Sequence, residues 1–282
     1  FFLLVVLVIP SDAATRRWID LGIFGFQPSE LMRCVLTISA AAFLSRNPGI
    51  ALRDWMIVIG ASFFSFYLVF IQPDLGTAIM VLISGILPVL ISGFPVSYQI
   101  LGTVITLLST PFIWMNLLEY QKQRVLTFFD PGSDPLGTGW NIIQSQIAVG
   151  SGSLFGKGFL QGTQTKGDYI PEQSTDFIFC AIGEEIGFFG SLISILLFVF
   201  FMIRIIIISE RQRSKFSRIF GYSFLGIFFS HFSINIGMIL GLFPVVGIPL
   251  PFVSYGGTAL VSMTIFLFFF LKLDSYRMEI LK

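Results

Sequence analysis

The chain has 282 residues, of which 55% are hydrophobic, 16% aromatic and only 12% charged, and 34 are phenylalanine. Because a water-soluble domain carries about a quarter charged residues, this composition indicates an integral membrane protein. The formal net charge of +1 provides no basic field, so we expect no nucleic-acid partner. Cys34 and Cys180 lie in apolar runs, which predicts small buried side chains rather than a disulfide.

Apolar runs predict an all-α fold, a polytopic membrane helix bundle with about seven full spans. The runs cover residues 29–45, 55–71, 77–94, 97–118, 177–208, 216–241 and 257–272. Residues 1–9 (FFLLVVLVI) are typical of half a further span, and we expect earlier spans to precede this chain. Residues 1–282 are therefore predicted to form one membrane domain.

Basic residues predict the orientation of the spans. One group follows the fifth run and another follows the last run, at Arg211, Arg213, Lys215, Arg218, Lys272, Arg277 and Lys282. The positive-inside rule predicts that both groups and the C-terminus are cytoplasmic. Counting spans backwards then makes residues 119–176 a large extracytoplasmic loop.

This outer segment is long for a connection without strong periodicity, and such segments are usually functional or disordered. Its many aromatic residues argue against disorder. The stretch WNIIQSQIAVG at residues 140–150 predicts a short amphipathic helix in the membrane interface, with Ile142, Ile143, Ile147 and Val149 on its apolar side.

Asp176 follows the run YIPEQST and precedes a long apolar run, where two roles remain open. One role is a helix N-cap shared with Ser174 and Thr175. The other is a general base at the outer mouth of the bundle, where partial desolvation beside lipid favours proton uptake by the carboxylate. Glu172, four residues earlier, adds a like charge that acts in the same direction.

Charged residues inside the predicted spans need partners. Glu184 is expected about 12 Å deeper than Asp176 and near the same helix face. It is either functional or part of a structural pair with a basic side chain. Arg33 is the obvious buried base, although a purely local pair with Glu30, three residues earlier, is an equal alternative.

Four basic residues of the outer segment could bind a phosphate or pyrophosphate, namely Lys122, Arg124, Lys157 and Lys166. Solvated loop charges or lipid-headgroup contacts would explain the same residues. Trp18 is typical of an interfacial anchor, and His231, the only histidine, is assigned no role.

In this order, the motifs of the chain resemble the SEDS family (shape, elongation, division and sporulation) of bacterial wall proteins. The matching segments are RRWIDLG, FQPSE, QPDLGT, YQKQRVLTFFDPGSDPLGTGWNIIQSQIAVGSGSLFGKG, GTQ, IPEQSTDFIF, GEEIG, NIGM and FPVVGIPLPFVSYGGTAL. They cover essentially the whole chain. The forms YQKQRVL and PVVGIPLP favour the elongation branch of the family over its division branch.

The resemblance implies a multi-pass enzyme of the bacterial inner membrane that polymerises lipid II into glycan strands. It also implies a class B penicillin-binding protein as partner, among the membrane proteins of the elongation complex. The family's motif aspartate corresponds to Asp176 and its motif tryptophan to Trp18. The other substrate-binding candidates are Lys122, Arg124, Lys157, Lys166, Arg33, Glu172 and Glu184.

Three positions depart from the family pattern. Ser174 stands where the family usually has His, and Arg33 where it usually has Lys. Gly167 and Asp168 stand where a hydrophobic-acidic pair is common. The first departure weakens any scheme that needs an imidazole beside Asp176, and the second keeps the charge but changes hydrogen-bond geometry.

The implied chemistry suits a single carboxylate. A lipid pyrophosphate leaves without protonation, so the reaction needs cations to stabilise its charge and one base for the acceptor hydroxyl. A glycosidase, in contrast, would need a pair of carboxylates. A divalent cation, Mg²⁺ or Mn²⁺, could share the pyrophosphate charge, and the sequence neither requires nor excludes it.

A lipid II flippase is the main alternative function, because broken helices and buried acids are also transporter features. A scaffold for the penicillin-binding partner is a third.

Overall fold

The computed structural model describes residues 3, 6, 18–20, 25–46, 49–133, 137–167, 169–170 and 174–277. These residues are mostly helical, which confirms the all-α prediction. The helices are α1 (Pro28–Ser45), α2 (Leu52–Phe70), α3 (Leu75–Ile91), α4 (Val96–Asn116), α5 (Glu119–Phe129), α6 (Thr138–Ser151), α7 (Thr163–Lys166), α8 (Ile178–Glu210), α9 (Lys215–Ile239) and α10 (Gly257–Tyr276). A short antiparallel pair of strands, β1 (Ile19–Asp20) and β2 (Gly25–Phe26), precedes α1.

Each of the seven predicted apolar runs is a helix, with ends shifted by a few residues. Five of these helices, α2, α4, α8, α9 and α10, are long and apolar enough to cross a membrane. Helix α3 is apolar but has 17 residues. The predicted half-span at residues 1–9 lies outside the described residues except for Leu3 and Val6, which are buried.

The long helices expose many large apolar side chains. Helix α4 has no buried residue along its whole length, and α8 exposes Leu196, Leu197 and Phe200. A soluble protein rarely carries so large an apolar surface. Because lipid tails are themselves apolar, these surfaces are what a helix in a bilayer requires.

The chain divides into two compact units. The first comprises residues 1–94, 200–231 and 255–282. Helices α1, α2 and α3 pack together there, and Thr37 Oγ1 donates to the carbonyl of Ser84 at 3.1 Å. Buried phenylalanines of α9 and α10 pack against one another, at Phe220, Phe224, Phe228, Phe266 and Phe270. Arg211 forms an ion pair with Asp274 at one end of these helices.

The second unit comprises residues 95–199 and 232–254, and contains the whole of the predicted outer segment, residues 119–176. Its core includes Ala148, Phe177, Phe179, Cys180, Met238, Ile239 and Leu250. Both cysteines of the chain are free and buried, as predicted. The assignment of residues 1–282 to one domain, and of residues 119–176 to the outer side, stays a prediction.

Helix α6 confirms the predicted helix at residues 140–150, but its predicted apolar side is wrong in part. Ile142 is 3% exposed, whereas Ile147 is 45% exposed. The packed face instead runs through Ile142, Ser145 and Ala148, whose spacing of three residues keeps them on one side of a helix. Ser145 Oγ is within hydrogen-bond distance of two carbonyls, that of Ile142 in α6 at 2.8 Å and that of Ile239 in α9 at 3.1 Å, and it thereby links α6 to α9.

Candidate active site

Asp176 lies in the turn of residues 174–177, directly before α8 begins at Ile178. The aspartate is partly exposed, while Phe177 beside it is buried in the core. Its carboxylate faces the backbone of Gly247, where an added Cβ would lie 3.2 Å from Asp176 Oδ2. Gly247 has a φ of +69°, in the left-handed region that favours glycine. The turn and the segment around Gly247 therefore form one side of the candidate site.

Arg124 contacts the same segment. Its Nη1 donates to the carbonyl of Val245 at 3.3 Å, and its guanidinium lies 5.8 Å from the centroid of the Tyr120 ring. Val245 and Gly247 are two residues apart, which is at most about 7 Å along an extended chain. Arg124 and Asp176 therefore contact neighbouring parts of one short segment.

The other predicted binding residues have different surroundings. Lys122 is partly buried and lies 3.9 Å from Glu119, on the same helix. Lys166, the last residue of α7, is exposed, and Trp18 is 46% exposed with its ring against Gly25. Glu172 and Asp168 lie outside the described residues.

Glu184 forms an ion pair with Lys157, whose Nζ lies 2.7 Å from Oε1. The carboxylate is 0% exposed and accepts further hydrogen bonds from the outer segment. These donors are Gln164 N and Thr165 N at 2.9 Å, Thr165 Oγ1 at 3.0 Å, Thr163 Oγ1 at 3.2 Å and Ser151 Oγ at 3.4 Å. Glu184 therefore ties the outer segment to α8, and Lys157 is the basic partner that its depth requires.

Helix α8 is interrupted at Gly187, which has a φ of +74° and a ψ of −164°. The loop after α6, residues 152–162, lies against the backbone of α8 at this interruption. The N–H of Phe188 donates to the carbonyl of Ser153 at 2.9 Å, and the N–H of Lys157 donates to the carbonyl of Glu184 at 3.0 Å. In the same way, the N–H of Phe189 donates to the carbonyl of Leu154, and the N–H of Gly158 donates to the carbonyl of Glu185. Four backbone groups beside the interruption, those of Glu184, Glu185, Phe188 and Phe189, are thereby paired, which is what a membrane interior would require.

Arg33 belongs to a buried polar cluster of the first unit. Arg33 is 1% exposed, forms an ion pair with Glu30 and contacts His231. Its Nη2 donates to Ser262 Oγ at 3.4 Å, and Ser262 Oγ lies 3.0 Å from Glu30 Oε2. The local Glu30–Arg33 pair is present, but it is part of a larger network. Sequence reasoning gave His231 no role, and its only signal was that it is the single histidine within an apolar run.

Within the described parts of the chain, no group of three or more His, Cys, Asp and Glu residues is arranged to hold a metal ion. The carboxylates of Glu30 and Glu184 are bound by basic side chains and hydroxyls, and that of Glu184 also by backbone N–H groups.

Comparison with known proteins gives consistent matches. A family model described as cell cycle protein, for FtsW, RodA and SpoVE, matches residues 1–279. The chain is 40% identical over 274 residues to the peptidoglycan glycosyltransferase MrdB of Escherichia coli K12, covering 93% of this chain and 73% of the relative. It is 36% identical over 271 residues to the stage V sporulation protein E of Bacillus subtilis 168, with the same coverage of 93% and 73%.

Solved structures show the same fold. One solved structure is that of a peptidoglycan synthase complex and shows its structural coordination of polymerization and crosslinking. A chain of this complex superposes with a TM-score of 0.82 at 30% identity. That match covers 98% of this chain and 78% of the other. The rod shape determining protein RodA of Thermus thermophilus gives a TM-score of 0.69 at 25% identity, covering 98% and 75%.

Proposed function

We propose, for a chain that belongs to the FtsW, RodA and SpoVE family of cell cycle proteins, that lipid II is the substrate and Asp176 the general base. The protein is a membrane-embedded peptidoglycan glycosyltransferase of the type that acts in cell elongation. One observation carries the assignment of Asp176. It is a partly exposed carboxylate in a turn whose neighbouring segment also binds Arg124.

In the proposed reaction, Asp176 takes the proton of an acceptor sugar hydroxyl as its oxygen attacks C1 of the donor sugar. The bond from C1 to the lipid pyrophosphate breaks, and its electron pair leaves with the pyrophosphate. Attack from the face opposite the leaving group converts an α-linked donor into a β-glycoside. A pyrophosphate leaves without a general acid, so cations are the other requirement of this step.

Arg124 is the cation that best fits the leaving group. Its guanidinium contacts the segment beside Asp176, and a guanidinium can bind two phosphate oxygens at once. Lys157 is less available, because its ammonium is already bound by Glu184 and Thr163. Lys122, Lys166, Arg33 and Trp18 remain proposed substrate contacts.

Removing the charge of Arg124 should lower the rate of polymer formation more than removing that of Lys166. We expect Arg124→Gln to lower kcat about 10²-fold, by analogy with the loss of one transition-state donor. Arg124→Lys keeps the charge without the bidentate geometry and should recover only part of the rate. Lys166→Gln removes a proposed substrate contact whose charge is exposed and screened by solvent, so it should lower the rate less, by no more than about tenfold. Initial rates of polymer formation with purified protein measure all three, and a wild-type rate for Arg124→Gln would place the pyrophosphate elsewhere.

We further propose a class B penicillin-binding protein as partner, together with the elongation-complex membrane proteins. The structural neighbour from a complex of polymerisation and crosslinking supports this pairing. The bacterial inner membrane is the proposed location. Exposed Arg213, Lys215, Arg218 and Lys272 at the ends of α9 and α10 support a cytoplasmic C-terminus.

A lipid II transporter is the second candidate, and the interrupted helix α8 is the observation that favours it, because transporter sites are often built at broken helices. Purified protein, with and without its penicillin-binding partner, should be incubated with lipid II in the presence of moenomycin. Glycan polymer is the expected product. Translocation of lipid II in vesicles without any polymer would favour the transporter.

A further inference from the structure

Asn235 binds the backbone of Asp176. The side chain of Asn235, near the end of α9, is 0% exposed. Its Nδ2 donates to the carbonyl of Asp176 at 2.8 Å and to the carbonyl of Ile248 at 2.7 Å. An amide nitrogen has two protons, so both are used to join the turn of Asp176 to the segment around Ile248.

The amide oxygen of Asn235 indicates that these two bonds are the reason for the residue. Asn235 Oδ1 is buried without a hydrogen-bond partner among the described residues. An apolar side chain of similar size would avoid the cost of this unpaired oxygen, but it would leave the carbonyls of Asp176 and Ile248 without the donor that Asn235 provides.

Ser254 holds the preceding carbonyl in the same way. Its Oγ donates to the carbonyl of Thr175 and accepts a hydrogen bond from the N–H of Leu250 at 2.8 Å. Two consecutive carbonyls, those of Thr175 and Asp176, are therefore fixed to the segment of residues 248–254. The turn precedes the regular hydrogen bonds of α8, so these side chains supply the constraints that a helix would otherwise provide.

The neighbours of the carboxylate lie in the stretch of chain directly before Ile248, to which Asn235 is bound. Gly247 lies against Asp176 Oδ2, and Val245 accepts the hydrogen bond of Arg124. A shift of the turn relative to this segment would therefore change the position of the carboxylate relative to both Gly247 and Arg124.

We infer that Asn235 and Ser254 are positioning residues, which fix the Asp176 carboxylate relative to the segment that binds Arg124. This inference rests on the proposed role of Asp176 as general base, because both residues act through it. Their contacts are with backbone carbonyls and not with substrate. Loss of either should lower kcat with little change in KM, since a displacement of about 1 Å can reduce a rate about 10²-fold.

Asn235→Ala is the first test, with lipid II as the substrate. We expect kcat to fall about 10²-fold while KM stays within about twofold of wild type. Ser254→Ala should act in the same direction, by about tenfold. Ser145→Ala is the matched control, because Ser145 is also buried and donates to a carbonyl of α9, at Ile239. It should keep a kcat near that of wild type.

A double variant separates positioning from general structural damage. In an Asp176→Asn background, Asn235→Ala should change the residual rate by less than about threefold, because the group through which it acts is already gone. An equal loss in both backgrounds would overturn the inference. A folded Asn235→Ala protein whose kcat equals that of Ser145→Ala would also overturn the inference.

Two further outcomes are distinguishable. If Asn235→Ala does not fold, Ser254→Ala decides, and a wild-type kcat for that variant overturns the inference. If Asp176→Asn polymerises normally, the general-base proposal itself fails, whatever the result at Asn235.

Discussion

Asp176→Asn is expected to lower the rate of lipid II polymerisation by about 10³-fold while the protein remains folded. The amide has nearly the same shape as the carboxylate and fits equally beside Gly247, where the available space is narrow. It cannot accept the proton of the acceptor hydroxyl. Initial rates of polymer formation, with the penicillin-binding partner present, measure the effect.

The same variant separates the base from the helix cap. Asparagine caps helices as well as aspartate does, so a purely capping Asp176 predicts unchanged activity and unchanged stability. Asp130→Asn is a suitable control, because Asp130 is another aspartate of the outer segment and its carboxylate binds the N–H of Gly132. The control should polymerise normally. A normal rate for Asp176→Asn would end the general-base proposal.

Gly187→Ala is expected to destabilise the protein by more than about 3 kcal/mol, or to prevent folding. Gly187 has backbone angles that are essentially restricted to glycine. An added Cβ would also clash with the backbone of Phe155 and Gly156, which lie against the interruption of α8. Backbone atoms cannot rotate away as a side chain can. Thermal unfolding in detergent and the yield of monodisperse protein measure the loss.

Gly102→Ala is the matched control for this prediction. Gly102 lies within α4, and an added Cβ there would contact nothing within 4 Å. Because alanine is a better helix former than glycine, this variant should be neutral or more stable by up to about 1 kcal/mol. A Gly187→Ala protein as stable as Gly102→Ala would show that the loop after α6 does not occupy the interruption of α8.

The membrane helices could be predicted from the sequence because lipid imposes a simple rule. A span needs a largely apolar run of about 20 residues, so the runs at residues 97–118 and 177–208 predict α4 and α8, although not the interruption of α8 at Gly187. The side of a helix that becomes buried was harder to predict than the helix itself. The prediction placed Ile147 on the same side as Ile142, but α6 buries Ser145 and Ala148 instead, because a buried hydroxyl can bind the Ile239 carbonyl.

The polar contacts of the site could not be predicted, because they join residues far apart in sequence. Glu184 and Lys157 are 27 residues apart, and Arg33 and His231 are 198 residues apart. Sequence alone shows that a buried charge needs a partner, but only the fold determines which one. The interruption at Gly187 had a signal, since glycine-rich GSGSLFGKG and GEEIG permit close backbone approach. Asn235 was noted only as part of the NIGM motif, without a role.

Chemical rescue of Asp176→Gly by formate tests the role of Asp176 most directly. The variant removes the carboxylate and leaves space beside Gly247, into which a small carboxylate can diffuse. General-base catalysis predicts an inactive protein whose polymerisation rate rises with formate concentration and does not respond to chloride. Asp176→Asn should show no rescue, since its amide still fills the space. A wild-type rate for Asp176→Gly without formate would contradict the assignment of Asp176 as the catalytic base.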